Sequence, residues 1–322
     1  MFLDLLMVAG GLTVLLLGAW QVVRSAVAIA LAFGLSRVVV GATVVAFGTS
    51  APEFVISLTA SVGDSSGLAM GNVIGSNVAN VALVLGSAAV FSPMVVSPRL
   101  LRWEIPVLLV ATAAVLLAGA DGGLARWEGA LLFGVGLVGF IVASLLLVPE
   151  SSVLAAEVEQ EPEEIPGRDA RTLTITAGWL ILGLTGLAVG AAVAVEGATG
   201  IAEQIGMSEL AIGVTIVAVG TSLPEVATTL VAAARREHDI AVANAVGSNV
   251  FNLLGVLGGT ALVAPLAIDR SLYEFEMVAL ALSSLLLVPI AMFHTRSLVD
   301  RREGTALVTA YVVFLLLIVA RG

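Results

Sequence analysis

The sequence predicts an all-α polytopic membrane protein of ten spanning helices, built as two inverted five-helix repeats with helices 2, 3, 7 and 8 forming the core. Three observations predict it. Of 322 residues, 59% are hydrophobic and only 12% charged, against about a quarter charged in a soluble domain. Apolar runs of about 20 residues, enough to cross the hydrocarbon at ~1.5 Å per residue, recur ten times. Residues 41–86 align with 213–258 at a constant offset of 172, without a gap and with 21 of 46 positions identical.

The spans are expected near 2–23, 38–61, 67–91, 101–120, 126–148, 173–197, 211–234, 240–264, 274–293 and 304–320. No basic region precedes the first and no small-residue cleavage site follows it, so it reads as a retained span rather than a signal peptide. The longest break, 149–172, holds Pro149, Pro162 and Pro166 and the cluster Glu157, Glu159, Glu161, Glu163 and Glu164. It reads as a solvated acidic linker between a first repeat (1–148) and a second (173–322). Five spans per half is an odd number, so the second half enters the membrane from the opposite side, as in many secondary transporters.

Arginine placement sets the orientation. The side reached after spans 1, 3, 5, 7 and 9 holds Arg24, Arg37, Arg99, Arg102, Arg168, Arg171, Arg235, Arg236, Arg296, Arg301 and Arg302, while the other holds Arg126, Arg270 and Arg321. Eleven against three puts the linker in the cytoplasm and both termini outside the cell membrane. All 14 basic residues are arginine, and the net charge of −10 speaks against nucleic acid. The absence of cysteine excludes disulfides, thiolate metal sites and cysteine nucleophiles.

The repeat is densest at Gly48-Thr49-Ser50-Ala51-Pro52-Glu53 and Gly220-Thr221-Ser222-Leu223-Pro224-Glu225. Each copy puts a carboxylate where it costs ~2.5–3.5 kcal/mol at mid-bilayer. Glycine and proline are expected to interrupt the helix there, and irregular backbone at that depth survives only inside protein or beside a watery cavity. Ser50-x-x-Glu53 also has the form of a capping box. A cap alone does not explain an acid in so dry a place, since glutamine would serve. The preceding half-helix is expected to end near Ala46 and Phe47, and its counterpart near Ala218 and Val219, with carbonyls turned toward the break.

The next span of each half forms a second wall. Asn72, Ser76 and Asn80 fall at i, i+4 and i+8 on one helix face, as do Asn244, Ser248 and Asn252. Such residues commonly join membrane helices, but beside two buried glutamates they read as ligands. Asn77 and Asn249 lie off that face and read as structural. All these donors are hard oxygen, which suits Ca²⁺ and Na⁺ and does not suit zinc or copper. Asp4, Glu104, Glu128, Glu150, Glu196, Glu274 and Glu276 sit near span ends within reach of the interface, and Trp20, Trp103, Trp127 and Trp179 read as interfacial anchors.

On the paired G-T-S-x-P-E stretches, and the G-S-N-x-x-N stretches that follow 27 residues later, the chain resembles the sodium/calcium exchangers of the cation/calcium antiporter superfamily, prokaryotic type. The resemblance implies that Glu53 and Glu225 face each other and bind ions. It implies that Thr49, Ser50, Ser76, Asn80 and the Ala46 carbonyl complete one half of the site, and Thr221, Ser222, Ser248, Asn252 and the Ala218 carbonyl the other. It further implies a first and a sixth span that slide as a gating pair. Asn252 stands where some exchangers carry aspartate, which bears on ion affinity.

The function expected is secondary antiport of Na⁺ against Ca²⁺ by alternating access, electrogenic, with these ions as the substrates, no cofactor and no enzymatic activity. One chain holds both repeats, so a monomer in membrane lipid suffices, and the sequence sets no oligomeric state. The main rival is a Ca²⁺/H⁺ antiporter. Proton-coupled relatives show G-N-x-x-E here, whereas Gly71-Asn72 is followed by Val73, Ile74 and Gly75. A K⁺-dependent exchanger stays open. An inverted repeat within one chain disfavours a channel, and the lack of a histidine inside a span disfavours a serine protease.

Overall fold

The computed structural model describes residues 1–146, 169–207, 216, 218–292 and 298–321. Most of the predicted linker lies outside the described residues, with Glu150 and the five clustered glutamates, as do Arg168, His294 and Arg296. What is described is almost wholly helical, and seven helices, or eight with one bent pair, are long and apolar enough to cross a membrane.

The helices are α1 (Phe2–Phe33), α2 (Arg37–Thr49), α3 (Ala51–Val62), α4 (Ser66–Phe91), α5 (Leu100–Asp121) and α6 (Arg126–Leu146) in the first half. The second half has α7 (Ala170–Gln204), α8 (Ala218–Thr221), α9 (Leu223–Ala234), α10 (His238–Val263), α11 (Arg270–Met292) and α12 (Arg301–Arg321). The predicted second span is the bent pair, α2 and α3 meeting at 44°. The predicted seventh corresponds to α8 and α9, with 208–215 and 217 outside the described residues.

Two helices outrun their predicted spans. Nothing between Val23 and Phe33 breaks a helix, so α1 continues until Gly34 takes a left-handed conformation (φ 66°) and returns its N–H to Ala30. Arg24, expected in a loop, therefore sits on α1. At the other boundary the Asp169 carboxylate accepts from the Thr172 N–H at 3.1 Å, and this N-cap starts α7 at Ala170, inside the predicted linker.

The first and second halves interlock. Four two-residue strands, β1 (Met94–Val95), β2 (Gly123–Leu124), β3 (Leu266–Ala267) and β4 (Leu298–Val299), pair across the halves, β1 with β4 and β2 with β3, both antiparallel. Residues 172 apart meet directly. The Thr112 and Ser284 hydroxyls bond at 2.9 Å, and the Asn249 amide donates to the Asn77 carbonyl at 3.1 Å. At the centre lies α10, buried continuously from Ile240 to Ala261.

α1 and α7 pack on one another through glycine. A Cβ built on Gly11 would lie 2.5 Å from the Ala194 nitrogen and 2.7 Å from the Gly190 oxygen, and one on Gly190 would lie 2.5 Å from the Leu15 nitrogen. Gly18 meets the Gly183 oxygen in the same way. Backbone against backbone is the close approach that small residues permit between membrane helices.

Two peripheral readings change. Glu104 does not reach an interface: it is fully buried one turn into α5, held by Arg99 at 3.3 Å, while Arg99 also donates to the Ser144 carbonyl at 2.7 Å. An acid so placed needs a partner, and α6 provides its anchorage. Trp103 is tied inward, its indole N–H donating to the Ser144 hydroxyl at 2.9 Å.

Candidate functional site

Pro52 and Pro224 build the site. Proline has no N–H, so the carbonyl four residues earlier, at Gly48 or Gly220, loses its helical donor and the ladder can turn. The turn falls at Ser50 (φ −83°, ψ 2°) and Ser222 (φ −89°, ψ 4°), and helical bonding resumes at once, with the Phe54 and Val226 N–H groups donating to the Ser50 and Ser222 carbonyls. This places Glu53 and Glu225 in the first turns of α3 and α9.

The second half-helix starts at Ser50 as Pro52 in its first turn implies, but the first ends later than expected. α2 stays helical through Thr49, and the Ala46 carbonyl is engaged, accepting from the Ser50 N–H at 3.0 Å and the Thr49 hydroxyl at 3.3 Å. Ala218 opens α8 in the second half. Gly48 is not the breaker either. Its missing side chain makes room for Leu184 of α7, as that of Gly220 does for Val195.

Glu53 and Glu225 are both 0% exposed, and near enough to act on each other as like charges. Both Glu53 carboxylate oxygens and Oε2 of Glu225 lack a hydrogen-bond partner among the described residues, and no described arginine pairs with either acid. The capping box does not form. Ser50 makes no side-chain cap, and its hydroxyl instead donates to Glu225 Oε1 at 3.4 Å, across the two halves.

Ser76 is within electrostatic reach of the Glu53 carboxylate, and Thr49 and Ser50 of that of Glu225. The Thr49 hydroxyl has one proton but three oxygens around it, Ala46 O at 3.3 Å and Asn244 Oδ1 and Ser248 Oγ at 3.4 Å. Asn80 and Asn252 are 1% and 0% exposed, with both polar atoms of each amide unpartnered among the described residues, as is the Ser222 hydroxyl. Thr221 lines a cavity of 230 Å³ with Asn72, Ser76, Glu276 and Tyr311, which reaches the site from the flank of α11 and α12.

Asn72 and Asn244, read from the sequence as ligands, act as supports, and their partners Ser57 and Thr229 escaped that reading. The Asn72 amide donates to the Glu53 backbone carbonyl at 3.2 Å and to the Ser57 hydroxyl at 2.9 Å, bracing the half-helix that carries the acid. Asn244 does the same for Thr229 at 3.1 Å. Ser57 and Thr229 are matched hydroxyls 172 apart, a signal present in the repeat although the residue types differ. Glu276, read as an interfacial acid, faces the cavity. Asn80 opens a π-helical stretch, Asn80–Leu85, and Asn252 lies in another, Phe251–Leu257. Such widened turns recur at functional sites and have no recognisable sequence mark.

The family model described as sodium/calcium exchanger protein matches residues 3–145 and 175–320, nearly the whole chain and both halves of the site. The chain belongs to the sodium/calcium exchanger family. It is a transmembrane antiporter, not an enzyme. The exchanger is 36% identical over 312 residues to CaxA of Alkalimonas amylolytica, covering 94% of each chain. It is 31% identical over 343 residues to the sodium/calcium exchanger MaX1 of Methanosarcina acetivorans, covering 96% of each. A solved structure of the sodium-calcium exchanger NCX_Mj, soaked with zero Na⁺ and Ca²⁺, superposes with a TM-score of 0.80 at 31% identity over 97% of both chains.

Proposed function

We propose that this exchanger carries Na⁺ and Ca²⁺ alternately through one central site held between Glu53 and Glu225. The observation that carries the reading is a pair of fully buried carboxylates with three oxygens unpartnered among the described residues. Buried charge left uncompensated costs several kcal/mol, and a bound cation removes that cost. Thr49, Ser50, Ser76 and Asn80 supply neutral oxygens on one side, and Thr221, Ser222, Ser248 and Asn252 on the other, with the Ala46 and Ala218 carbonyls beside them. Six to eight oxygens at 2.3–2.6 Å is the usual Ca²⁺ shell, so the set suffices for one Ca²⁺ or for several Na⁺ in overlapping positions.

Two carboxylates carry a charge of −2, matched by one Ca²⁺ or two Na⁺, and the electrogenic reading takes a third Na⁺. Ca²⁺ leaves the site neutral, whereas three Na⁺ leave it at +1, so each cycle moves net charge. The cross-paired strands and the contacts between residues 172 apart support two inverted repeats, 1–148 and 173–322, and the arginine distribution supports a cytoplasmic 149–172 linker with both termini outside. With α8 and α9 taken as the predicted seventh span and α12 as the tenth, such halves hold ten spans. The glycine-packed α1–α7 pair is the element suited to slide over the core, and the cavity beside Ser76 and Thr221 is suited to admit ions.

Vesicles loaded with Na⁺ and diluted into choline medium test this. Ca²⁺ uptake should rise with the outward Na⁺ gradient, and valinomycin with K⁺ should change its rate by charge compensation. Uptake driven by a pH gradient and indifferent to Na⁺ would replace sodium by protons; a requirement for K⁺ beyond charge compensation would make it K⁺-dependent. In the same assay Asn72→Leu should raise half-saturating Ca²⁺ up to about tenfold, because a hydrogen bond contributes about 0.5–1.5 kcal/mol and this partly buried one holds the backbone of Glu53.

A further inference from the structure

We propose that the arginine-rich end of the α1–α7 pair is a binding site for the phosphodiester headgroup of an anionic phospholipid. A cavity of 840 Å³, far from Glu53 in sequence and unconnected with it in lining, lies between α1, α7 and the end of α9, lined by Trp20, Gln21, Arg24, Thr176, Trp179 and Arg235 among others. The Arg24 and Arg235 guanidinium carbons lie 5.3 and 5.7 Å from the centre of the same Trp20 ring. One indole ring thus has two like charges beside it, carried by two separate helices.

Among the described residues no carboxylate pairs with either arginine, and the Arg235 Nε–H is buried without an acceptor. The chemistry that answers two guanidinium groups lining one cavity is an oxyanion, and phosphate is the anion whose geometry arginine matches bidentately. The walls choose lipid over free phosphate. Trp20 is 42% exposed, Trp179 49% and Ile175 51%, so the rim is apolar and open to the membrane. Indoles at this position mark the headgroup level, and basic pockets between membrane helices on the arginine-rich side are where anionic headgroups dock. A headgroup there would join Arg24 of α1 to Arg235, the residue that ends the helix bearing Glu225.

The test uses the full chain in dodecyl maltoside with equal amounts of dioleoylphosphatidylglycerol and dioleoylphosphatidylcholine, the lipids retained being counted by native mass spectrometry. Phosphatidylglycerol should be retained at least tenfold in preference, and the R24Q/R235Q variant should lose most of that preference while eluting as the same single peak. In a W103F/W127F background the remaining Trp20 and Trp179 fluorescence should be quenched by dibrominated phosphatidylglycerol and not by the dibrominated phosphatidylcholine, which decides the matter even where the arginine variant fails to fold. Equal retention of the two lipids, or a preference unchanged by R24Q/R235Q, overturns the proposal. So does displacement of phosphatidylglycerol by low millimolar inorganic phosphate, which assigns the pocket to a soluble anion. Binding that appears only once Glu157, Glu159, Glu161, Glu163 and Glu164 are all glutamine assigns it to the chain's own acidic segment.

Discussion

Glu53→Gln and Glu225→Gln should each abolish Na⁺-driven Ca²⁺ uptake, lowering it at least a hundredfold in reconstituted vesicles. Glutamine keeps the shape and removes one unit of negative charge, so a site matched to Ca²⁺ becomes positive when occupied. Removing one partner of a buried ionic set costs about 3–5 kcal/mol, and each 1.4 kcal/mol is about tenfold in affinity. Stability separates this from a merely structural effect. Without Ca²⁺ each variant should unfold at the same temperature as the parent or higher, since a repulsion between two buried carboxylates has been relieved. The parent should then gain about 2.7 kcal/mol at a hundredfold excess of Ca²⁺ over its dissociation constant, and neither variant should gain it. A full Ca²⁺-induced shift in either would remove that residue from the site.

Gly11→Leu and Gly190→Leu carry the second large effect. Each puts a side chain where a Cβ alone already meets backbone atoms of the opposite helix at 2.5 Å. Backbone cannot rotate aside, so α1 and α7 must separate along much of their contact. Overpacking costs about 1–3 kcal/mol where neighbours can adjust, and here they cannot. Both variants should melt several degrees lower in detergent and lose at least tenfold in exchange. Gly10→Leu is the control, because nothing lies within 4 Å of a Cβ at that exposed position. If Gly10→Leu and Gly11→Leu behaved alike, the close contact would matter less than simple loss of glycine.

Much of the site was legible because the repeat marks it twice. Generic alanine-valine-leucine bias can match apolar positions by chance. It does not reproduce Thr49, Ser50, Pro52 and Glu53 at Thr221, Ser222, Pro224 and Glu225. The amphipathic face of Asn72, Ser76 and Asn80 was equally plain, because a helix has only one way to align i, i+4 and i+8. The start of the second half-helix at Ser50 was legible from Pro52, but the end of the first was placed too early because glycine and proline both read as breakers. Only packing separates them: Pro52 lacks its N–H, while Gly48 stays helical beneath Leu184.

The chain by itself determined that two buried acids and their oxygen-bearing neighbours sit on broken, apolar helices in duplicate. Those facts follow from residue type and local spacing, and local spacing is written along the chain. Only the tertiary structure decided whom each group meets. It gave the Ser50 hydroxyl to Glu225 rather than to its own helix end, made Asn72 a brace, and set Gly11 against Gly190. It also placed Arg24 and Arg235 over one indole ring. Apart from the Asn72 brace and the Arg24–Trp20 contact, each joins residues more than 170 positions apart, and such a pairing is fixed by how whole helices pack, which no short window of sequence contains.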